Sequence, residues 1–281
     1  MEGCIVKING HHHISMYTKD LDQNKAFYME TLGLHLTKET VNQDDHGMIH
    51  IFYGDQQNSP GTLLTFFEIP NAGAMRKGTN MIARIGLLVP NEAALDFFEA
   101  RLQGKATNIL RGTYEAQPAL YFDDPDSLSY VMMVNGDAVT PDGWQNPVDN
   151  DIPAEYQILG LGPIEIHVAD AKKTLDYLRD TLDFKDKAQF GEQTVVAIDD
   201  KGYYSDLVII EKDGPNVRPG RGYVHHHALA TENDDTLNHL VSLHDDLPGN
   251  HSGVIDRIWF KSLYYRQNRI MYEFATLAPG F

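Results

Sequence analysis

The sequence predicts an α+β protein built from four βαβββ modules that are arranged as two pairs. Two observations support this prediction. A strand-like segment, a helix-like segment and three further strand-like segments recur in that order four times along the 281 residues. A stretch rich in proline, aspartate and asparagine separates the second copy from the third. We therefore predict two domains, residues 1–138 and 156–281, joined by a linker at residues 139–155.

In the first module, a strand over residues 10–17 leads into a helix over residues 20–32, and Gly33 ends that helix. Gly and Asp turns then separate three short strands: 35–40, 48–53 and 62–67. The second module repeats this order around a helix over residues 92–102. Its predicted strands are 81–89, 108–114, 118–123 and 129–134.

The third module begins with a strand at residues 161–168 and has a helix over residues 171–182. The fourth module begins with a strand at residues 223–229 and has its helix at residues 234–243. Three closing strands are predicted there: 255–261, 262–266 and 270–276. The chain thus predicts one supersecondary unit used four times.

Composition excludes several classes of protein. A net charge of −17 argues against nucleic-acid binding, which needs basic surfaces. No uncharged apolar run reaches about 18 residues, so no membrane span is expected. Cys4 is the single cysteine, which excludes an internal disulfide and a thiolate metal cluster. The first residues lack the pattern of a signal peptide, so we expect a cytoplasmic protein.

Two histidine clusters and one glutamate predict a metal site. His11-His12-His13 lies on the first strand of the first module, and His225-His226-His227 lies on the first strand of the fourth. Glu273 lies on the last predicted strand. Two imidazoles and one carboxylate form the facial triad that holds non-haem Fe(II) and leaves positions open for substrate and O2.

A triple histidine could instead be a tag-like artefact or a chance run. The first cluster is flanked by Ile8 and Ile14 rather than by linker residues, and the second occupies the equivalent position of another module, which favours a metal site. Side chains alternate along a strand, so His11 and His13 face one side and His12 the other. Adjacent histidines can meet one site only if the strand is twisted or bulged, and the choice within each cluster stays open.

An ordered series of motifs across nearly the whole chain closely resembles the hydroquinone-type ring-cleaving dioxygenases of the vicinal-oxygen-chelate, or glyoxalase, superfamily. The N-terminal motifs are Gly10-His11-His12-His13-Ile14-Ser15, Glu39-Thr40-Val41-Asn42-Gln43-Asp44-Asp45, His50-Ile51-Phe52-Tyr53-Gly54-Asp55, Pro60-Gly61-Thr62 and Thr65-Phe66-Phe67. The C-terminal motifs are Val224-His225-His226, Asp256-Arg257-Ile258-Trp259-Phe260, Ser262-Leu263-Tyr264-Tyr265-Arg266, Tyr272-Glu273-Phe274-Ala275-Thr276 and Pro279-Gly280-Phe281.

The resemblance implies two tandem vicinal-oxygen-chelate domains and a residue-by-residue site. It implies that the metal ligands are His13, His226 and Glu273. It places His12 and His225 behind them, where either could shuttle a proton, with Arg257 and Tyr264 as further catalytic residues and Ser15 at the substrate. The family usually has threonine at Ser15 and apolar residues at His11 and His227, so each cluster here has one additional imidazole.

The implied cofactor is Fe(II), with another divalent metal as an alternative in the purified protein. The implied partners are a small aromatic substrate and O2, and a homo-oligomer formed through edge strands is one expectation. We expect apolar cavity walls from a set of aromatic residues: Tyr17, Phe52, Phe66, Trp259 and Phe260. Where other extradiol dioxygenases take a ligand from the third module, this chain has Gly162, and His167 reads as structural. The site must therefore unite the first module with the fourth.

Two other functions fit the same fold, because fold does not determine function. The first is a glyoxalase-type lyase or isomerase that uses Zn²⁺, Ni²⁺ or Mn²⁺ as a Lewis acid. Such a site usually recruits a further carboxylate, for which Glu68 is the candidate. The second is a non-enzymatic module that binds an antibiotic or a quinone and needs no metal. The number of protein ligands separates the first alternative from a dioxygenase, and a metal assay separates the second.

Overall fold

We analysed a computed structural model of the chain, which describes residues 7–41, 43, 47–144, 147–278 and 280. Several residues named above lie outside the described residues: Cys4, Asn42, Asp44, Asp45, Pro279 and Phe281. None of the helices in the described ranges is long and apolar enough to cross a membrane.

The predicted order of elements recurs four times, which confirms the α+β fold. The first module comprises β1 (Ile8–Thr18), α1 (Leu21–Lys25), β2 (His35–Val41), β3 (Ile49–Gly54) and β4 (Leu63–Glu68). The second comprises β5 (Met81–Val89), α2 (Glu92–Leu102), β6 (Thr107–Tyr114), β7 (Gln117–Asp123) and β8 (Ser129–Val134). The third comprises β9 (Gly160–Val168), α3 (Ala171–Asp176), β10 (Lys185–Phe190), β11 (Gln193–Ala197) and β12 (Leu207–Glu211). The fourth comprises β13 (Val224–Thr231), α4 (Asp234–Asp245), β14 (His251–Asp256), β15 (Lys261–Gln267) and β16 (Ile270–Thr276).

The four modules form two eight-stranded sheets. One sheet has the order β14-β15-β16-β13-β1-β4-β3-β2, and the other has the order β10-β11-β12-β9-β5-β8-β7-β6. The first sheet thus joins the first module to the fourth through the antiparallel pair β1–β13, and the second joins the middle two modules through β5–β9. The predicted domain boundaries at residues 138 and 156 stay a prediction, and each sheet contains one module from either side of them.

Two of the four α-helices in the described part of the chain change their winding before they end. Asp20 caps α1 by accepting a hydrogen bond from the backbone N–H of Gln23 at 3.0 Å, as aspartate commonly does at this position. The helix then continues as π-helix over Ala26–Thr31, where the Leu32 N–H donates to the Phe27 carbonyl five residues back. A π-helix over Tyr177–Thr181 extends α3 in the same way. The sequence predicts the helices but not this change of winding.

The segment at residues 139–155, predicted as a linker, is packed against the first module. Trp144 is buried and its indole N–H donates to the Pro60 carbonyl at 2.9 Å. Ile152 is also buried, and the Asn150 side chain donates to the Gly33 carbonyl at 2.7 Å. The Pro, Asp and Asn content reflects turns. The buried side chains of Trp144 and Ile152 hold the segment against the rest of the protein, which the composition did not indicate.

A turn interrupts the strand predicted over residues 255–261. β14 ends at Asp256, and β15 begins at Lys261. Between them Ile258 adopts a left-handed backbone conformation, with φ +75°, which a strand cannot contain. The Arg257 N–H donates to the Phe260 carbonyl at 2.9 Å and closes the turn. This turn lies at the mouth of the cavity described below.

Candidate functional site

The two histidine clusters meet because β1 and β13 are neighbouring central strands. Their antiparallel register places Ser15 opposite His226 and His13 opposite Ala228. The register shifts between Ile8 and His11 and again between His11 and His13. These irregularities are β-bulges, which redirect side chains and let adjacent histidines approach one site, as the sequence required.

Three donor atoms from distant parts of the chain converge at this point. His13 Nε2 lies 3.3 Å from His226 Nε2. Glu273 Oε2 lies 3.0 Å from His13 Nε2 and 2.9 Å from His226 Nε2. All three side chains are buried, and one ligand atom from each lies within 4.8 Å of the others. The three residues predicted as metal ligands are therefore brought together.

The two carboxylate oxygens of Glu273 have different neighbours. Its Oε1 accepts a hydrogen bond from Ser262. Its Oε2 faces the two imidazoles, at 3.0 Å from His13 Nε2 and 2.9 Å from His226 Nε2. Burial would raise the pKa of this carboxyl, but the charge interaction with His13 and His226 outweighs burial and holds the pKa well below its usual range. An ionised carboxylate oxygen beside two imidazole nitrogens fits a divalent metal ion.

A second imidazole lies behind each of the two histidines. His12 Nδ1 is 2.9 Å from His13 Nδ1, and His225 Nδ1 is 2.7 Å from His226 Nδ1. Burial lowers the pKa of both His12 and His225 to about 3, so both are neutral near pH 7. A neutral His12 or His225 can accept the Nδ1–H of its neighbour, which fixes the neighbour's Nε2 as a lone pair. This is the outer-shell arrangement that metal-binding histidines commonly have.

The two predicted proton-shuttle candidates are not equivalent. His225 lines the cavity, whereas His12 does not and packs against the Phe260 ring at 5.0 Å between centroids. If His225 Nδ1 accepts from His226, its proton resides on Nε2. His225 can therefore offer an N–H donor to the cavity, while His12 can act only through His13.

The additional imidazoles, His11 and His227, pair with each other. His11 Nδ1 lies 2.9 Å from His227 Nε2, and both rings are buried. Burial lowers the pKa of His11 to about 3 and holds the pKa of His227 well below its ordinary value. The pair is a neutral hydrogen bond between β1 and β13, set apart from the three converging atoms.

A cavity of about 410 Å³ opens onto His13 and His226. Its walls are largely aromatic and apolar, and the residues that supply them are Tyr17, Val41, Met48, Phe52, Phe67, Ile258, Trp259 and Phe260. Phe66, predicted as a wall residue, is instead buried in the core against Tyr28. Phe66 and Phe67 are adjacent on β4 and so face opposite sides of the sheet.

Arg257 and Tyr264, predicted as catalytic residues, both line this cavity. The Arg257 guanidinium lies 5.1 Å from the centre of the Tyr264 ring, and the Tyr264 ring lies 5.6 Å from that of His226. Burial, followed by the charge of Glu273, raises the pKa of Tyr264 well above its ordinary value. Tyr264 therefore keeps its hydroxyl proton and can act as a donor, and its hydroxyl is in hydrogen-bonding contact with Glu273 and Arg257.

Ser15, predicted to contact the substrate, requires a correction. It is fully buried, does not line the cavity, and its hydroxyl lies 2.7 Å from Thr65 Oγ1. Glu68, the candidate fourth ligand, lies in a separate groove and accepts from the Leu21 N–H at 3.4 Å. His167 belongs to the other sheet, where its Nε2 is 2.8 Å from Glu165 Oε1, in keeping with a structural role.

Sequence reasoning missed three residues of this site. Ser262 and His50 lie within motifs that carried the resemblance, but neither was assigned a role. Lys38 also lines the cavity, with Nζ 2.9 Å from the centre of the Trp259 ring. A single lysine or histidine in a strand pattern is ordinarily a surface or core residue, so only their position in space distinguishes them.

A family model matches the first part of the chain, and relatives match nearly all of it. Residues 10–129 match the family described as the Glyoxalase/Bleomycin resistance protein/Dioxygenase superfamily. The chain is 36% identical over 285 residues to "Putative ring-cleaving dioxygenase MhqA" of Bacillus subtilis (strain 168), covering 98% of this chain and 89% of that protein. It is 25% identical to "Chlorohydroquinone/hydroquinone 1,2-dioxygenase" of Sphingobium indicum, covering 98% of this chain and 87% of that protein.

Solved structures share the whole fold. A crystal structure described as a "putative dioxygenase from Bacillus subtilis subsp. subtilis str. 168" superposes with a TM-score of 0.84 at 26% identity. That alignment covers 98% of this chain and 87% of the other. The glyoxalase I of Zea mays superposes with a TM-score of 0.68 at 14% identity, over 95% of this chain and 92% of the other, which shows the likeness of fold alone.

Proposed function

The chain belongs to the Glyoxalase/Bleomycin resistance protein/Dioxygenase superfamily, and on that premise we propose that it is an Fe(II)-dependent dioxygenase that cleaves the ring of hydroquinone-type aromatic compounds. The observation that carries the proposal is the convergence of His13 Nε2, His226 Nε2 and the buried Oε2 of Glu273 beside a largely aromatic cavity. The names of the relatives support the reaction class, and one of them is named for hydroquinone.

In this proposal His13, His226 and Glu273 would hold the metal, and the cavity beside them would receive the substrate. When bound, Fe(II) would supply the acidification of a substrate hydroxyl and the transfer of electrons between the aromatic ring and O2. Ser262 keeps Glu273 Oε1 occupied and thereby orients Oε2 toward the imidazoles. His12 and His225 orient the two ligand rings by accepting their Nδ1 protons.

The remaining cavity residues bind and orient the substrate. His225 presents Nε2–H and Tyr264 presents its hydroxyl, so both can donate to oxygen atoms of the substrate or product. Arg257 remains protonated and offsets negative charge that develops on the ring. Phe52, Phe67 and Phe260 exclude water and hold a flat ring by aromatic contacts.

The position of Glu68 counts against the glyoxalase-type alternative, since within the described ranges the cluster of potential ligands has three members and Glu68 is not one of them. A buried ionised carboxylate is costly unless it is paired or binds a cation. A non-enzymatic module that binds no metal would have no need for such a carboxylate between two imidazoles. These observations favour the dioxygenase proposal over both alternatives.

The experiment removes all metal with a chelator and reloads separate samples with Fe(II), Zn(II) or Ni(II) under nitrogen. O2 uptake is then recorded with hydroquinone and with catechol, and isomerisation of the methylglyoxal–glutathione adduct is assayed in parallel. We expect uptake of one O2 per hydroquinone by the Fe(II) sample only, with catechol slower. Adduct isomerisation without O2 uptake would support the glyoxalase-type function, and Glu273→Gln serves as the inactive control.

A further inference from the structure

His50 occupies a rigid position at one end of the cavity. It lies on β3 and its ring is sandwiched between Phe52 and Phe67, each at 4.0 Å between centroids. Its Nε2 is 2.9 Å from Thr65 Oγ1. Because Nε2 is directed at Thr65 and the ring lines the cavity, Nδ1 is the nitrogen available there.

The hydrogen bonds behind His50 determine which nitrogen carries its proton. Thr65 Oγ1 lies between His50 Nε2 and Ser15 Oγ, and both hydroxyl residues are fully buried. If His50 donated from Nε2, Thr65 would donate to Ser15, and the Ser15 hydroxyl would be left without an acceptor. If Ser15 donates to Thr65 and Thr65 donates to Nε2, every hydroxyl proton is used. Buried donors are rarely left unpaired, so the second arrangement is favoured and the proton resides on Nδ1.

This arrangement places a neutral N–H donor in the same cavity as the metal ligands His13 and His226. Strands β4 and β1 stand between β3, which carries His50, and β13, which carries His226. The Phe67 ring on β4 lies 4.0 Å from the His50 ring and 6.4 Å from the His226 ring between centroids, and all three residues line the cavity. Lys38 lies at the same end, with Nζ 5.6 Å from the centre of the Phe52 ring. Burial lowers the pKa of His50 well below its ordinary value, which keeps the imidazole neutral.

We propose that His50, held as the Nδ1–H tautomer by Ser15 and Thr65, donates a hydrogen bond to the substrate oxygen farthest from the metal. The inference rests on the proposed function and adds a basis for selectivity. A hydroquinone has its second oxygen across the ring, where His50 can reach it, whereas a catechol has both oxygens at the metal end. The cavity has room for such a ring, since a cavity of about 150 Å³ already accommodates benzene.

The first test measures binding of three phenols to the full-length protein loaded with Fe(II) under nitrogen, by calorimetry. Hydroquinone and 4-methoxyphenol both offer an acceptor oxygen across the ring, and 4-methylphenol does not. We expect the first two to bind several-fold, up to about tenfold, more tightly than 4-methylphenol. If 4-methoxyphenol binds no better than 4-methylphenol, His50 does not donate to that oxygen and the proposal is overturned.

Variants assign this preference to His50. His50→Phe keeps a flat ring without a donor, and we expect the preference for 4-methoxyphenol over 4-methylphenol to disappear. His50→Asn restores an N–H at the position of Nδ1 and should recover part of it. Thr65→Val keeps the volume of the side chain but removes the hydroxyl that holds the proton of His50 on Nδ1. The variant should therefore prefer 4-methoxyphenol over 4-methylphenol less strongly, although His50 is still present. An unchanged preference in His50→Phe would overturn the assignment.

The measurements also separate this inference from the function it rests on. Binding under nitrogen requires no turnover. A protein that ranks the phenols as expected but does not cleave hydroquinone in air would refute the dioxygenase proposal and retain the role of His50 in binding. A protein that cleaves hydroquinone in air but does not rank the phenols in this way would retain the dioxygenase proposal and refute the role of His50 in binding. If His50→Phe fails to fold, the wild-type series and His50→Asn still decide the outcome.

Discussion

At the scale of single residues, the site depends on which nitrogen of each histidine faces which partner. Six histidines lie on two adjacent strands, yet only His13 and His226 direct Nε2 at Glu273. The others accept from these two or pair with each other, and burial keeps them neutral. Neutral imidazoles next to the metal ligands avoid the repulsion that a cluster of imidazolium ions would exert on a cation.

The ligand assignment predicts that substitutions of two neighbouring histidines change different properties: one lowers the metal affinity and the other lowers the stability. His226→Ala should lower Fe(II) affinity by more than the 10- to 100-fold that loss of an outer-shell partner typically causes, because a direct ligand is lost. His227→Leu should retain one metal per chain. It should lose about 1–3 kcal/mol of stability, since the buried His11 is left without its partner. Metal content by mass spectrometry and urea unfolding test both.

The reverse result would contradict the assignment of His226 as the metal ligand. If His227→Leu lost its iron while His226→Ala kept it, the fourth-module ligand would be His227. Glu273→Gln provides the matched control for charge, because the amide keeps the shape of the side chain and removes its ionised oxygen.

At the scale of elements, the strand order within each module could be predicted, because turns and alternation are local signals. The bulge at the start of β1 could only be stated as a requirement of three adjacent histidines. The turn after Asp256 was missed, since a left-handed Ile258 has no sequence signature. That turn places Arg257 and Trp259 at the cavity.

The β1 bulge predicts a large effect at Gly10. Gly10 has φ +113°, and a Cβ there would lie 2.7 Å from the Tyr204 ring and 2.9 Å from the Tyr204 carbonyl oxygen. Gly10→Ala should therefore cost about 1–2 kcal/mol for the left-handed backbone and about 1–3 kcal/mol more for the clash, and should weaken metal binding. Gly104→Ala is the matched control, because Gly104 also has a positive φ, +72°, but open space around its Cβ.

Urea unfolding of both variants separates the two effects, and Fe(II) titration links them to the site. Equal losses of stability in the two variants would mean that the contact with Tyr204 has no consequence, and normal Fe(II) affinity in Gly10→Ala would mean that the bulge does not set the ligand geometry.

At the scale of the whole molecule, the sheets unite modules that are distant in sequence. The sequence predicted that the site must combine the first and fourth modules, because the third offers no ligand at Gly162. It could not specify that these two modules share one continuous sheet, since local patterns say nothing about which strand edges pair. The pairing β1–β13 supplies His13 and His226 from adjacent strands.

This topology predicts that half of the chain cannot hold the metal. Residues 156–281 expressed alone contain His226 and Glu273 but lack His13, and the edge of β13 that pairs with β1 would be exposed. We expect no high-affinity Fe(II) binding in equilibrium dialysis, and binding should return when residues 1–155 are added in trans. Stoichiometric iron in the fragment alone would contradict a site shared between the two modules.

The second sheet is joined by a buried acidic contact that has no part in the proposed chemistry. Glu115, in the turn between β6 and β7, is buried beside the fully buried Asp206 of the third module. Asp206 Oδ2 accepts a hydrogen bond from Lys187 at 2.5 Å. One lysine cannot neutralise two buried carboxylates, so the pair retains a proton.

This contact predicts a pH dependence of stability. Burial, followed by the charge of Asp206, raises the pKa of Glu115 from 4.5 to about 9. Between these values the folded chain holds a proton that the unfolded chain releases, so each increase in pH favours unfolding, by up to about 1.4 kcal/mol per pH unit. Glu115→Gln carries no such proton. The difference between its free energy of unfolding and that of the wild type should therefore shift in favour of the variant as the pH rises from 5 to 9. Urea unfolding across this range measures the difference. Glu192→Gln, at the exposed turn between β10 and β11, should show no gain, and a gain equal to that of Glu115→Gln would rule out the buried pair as the cause.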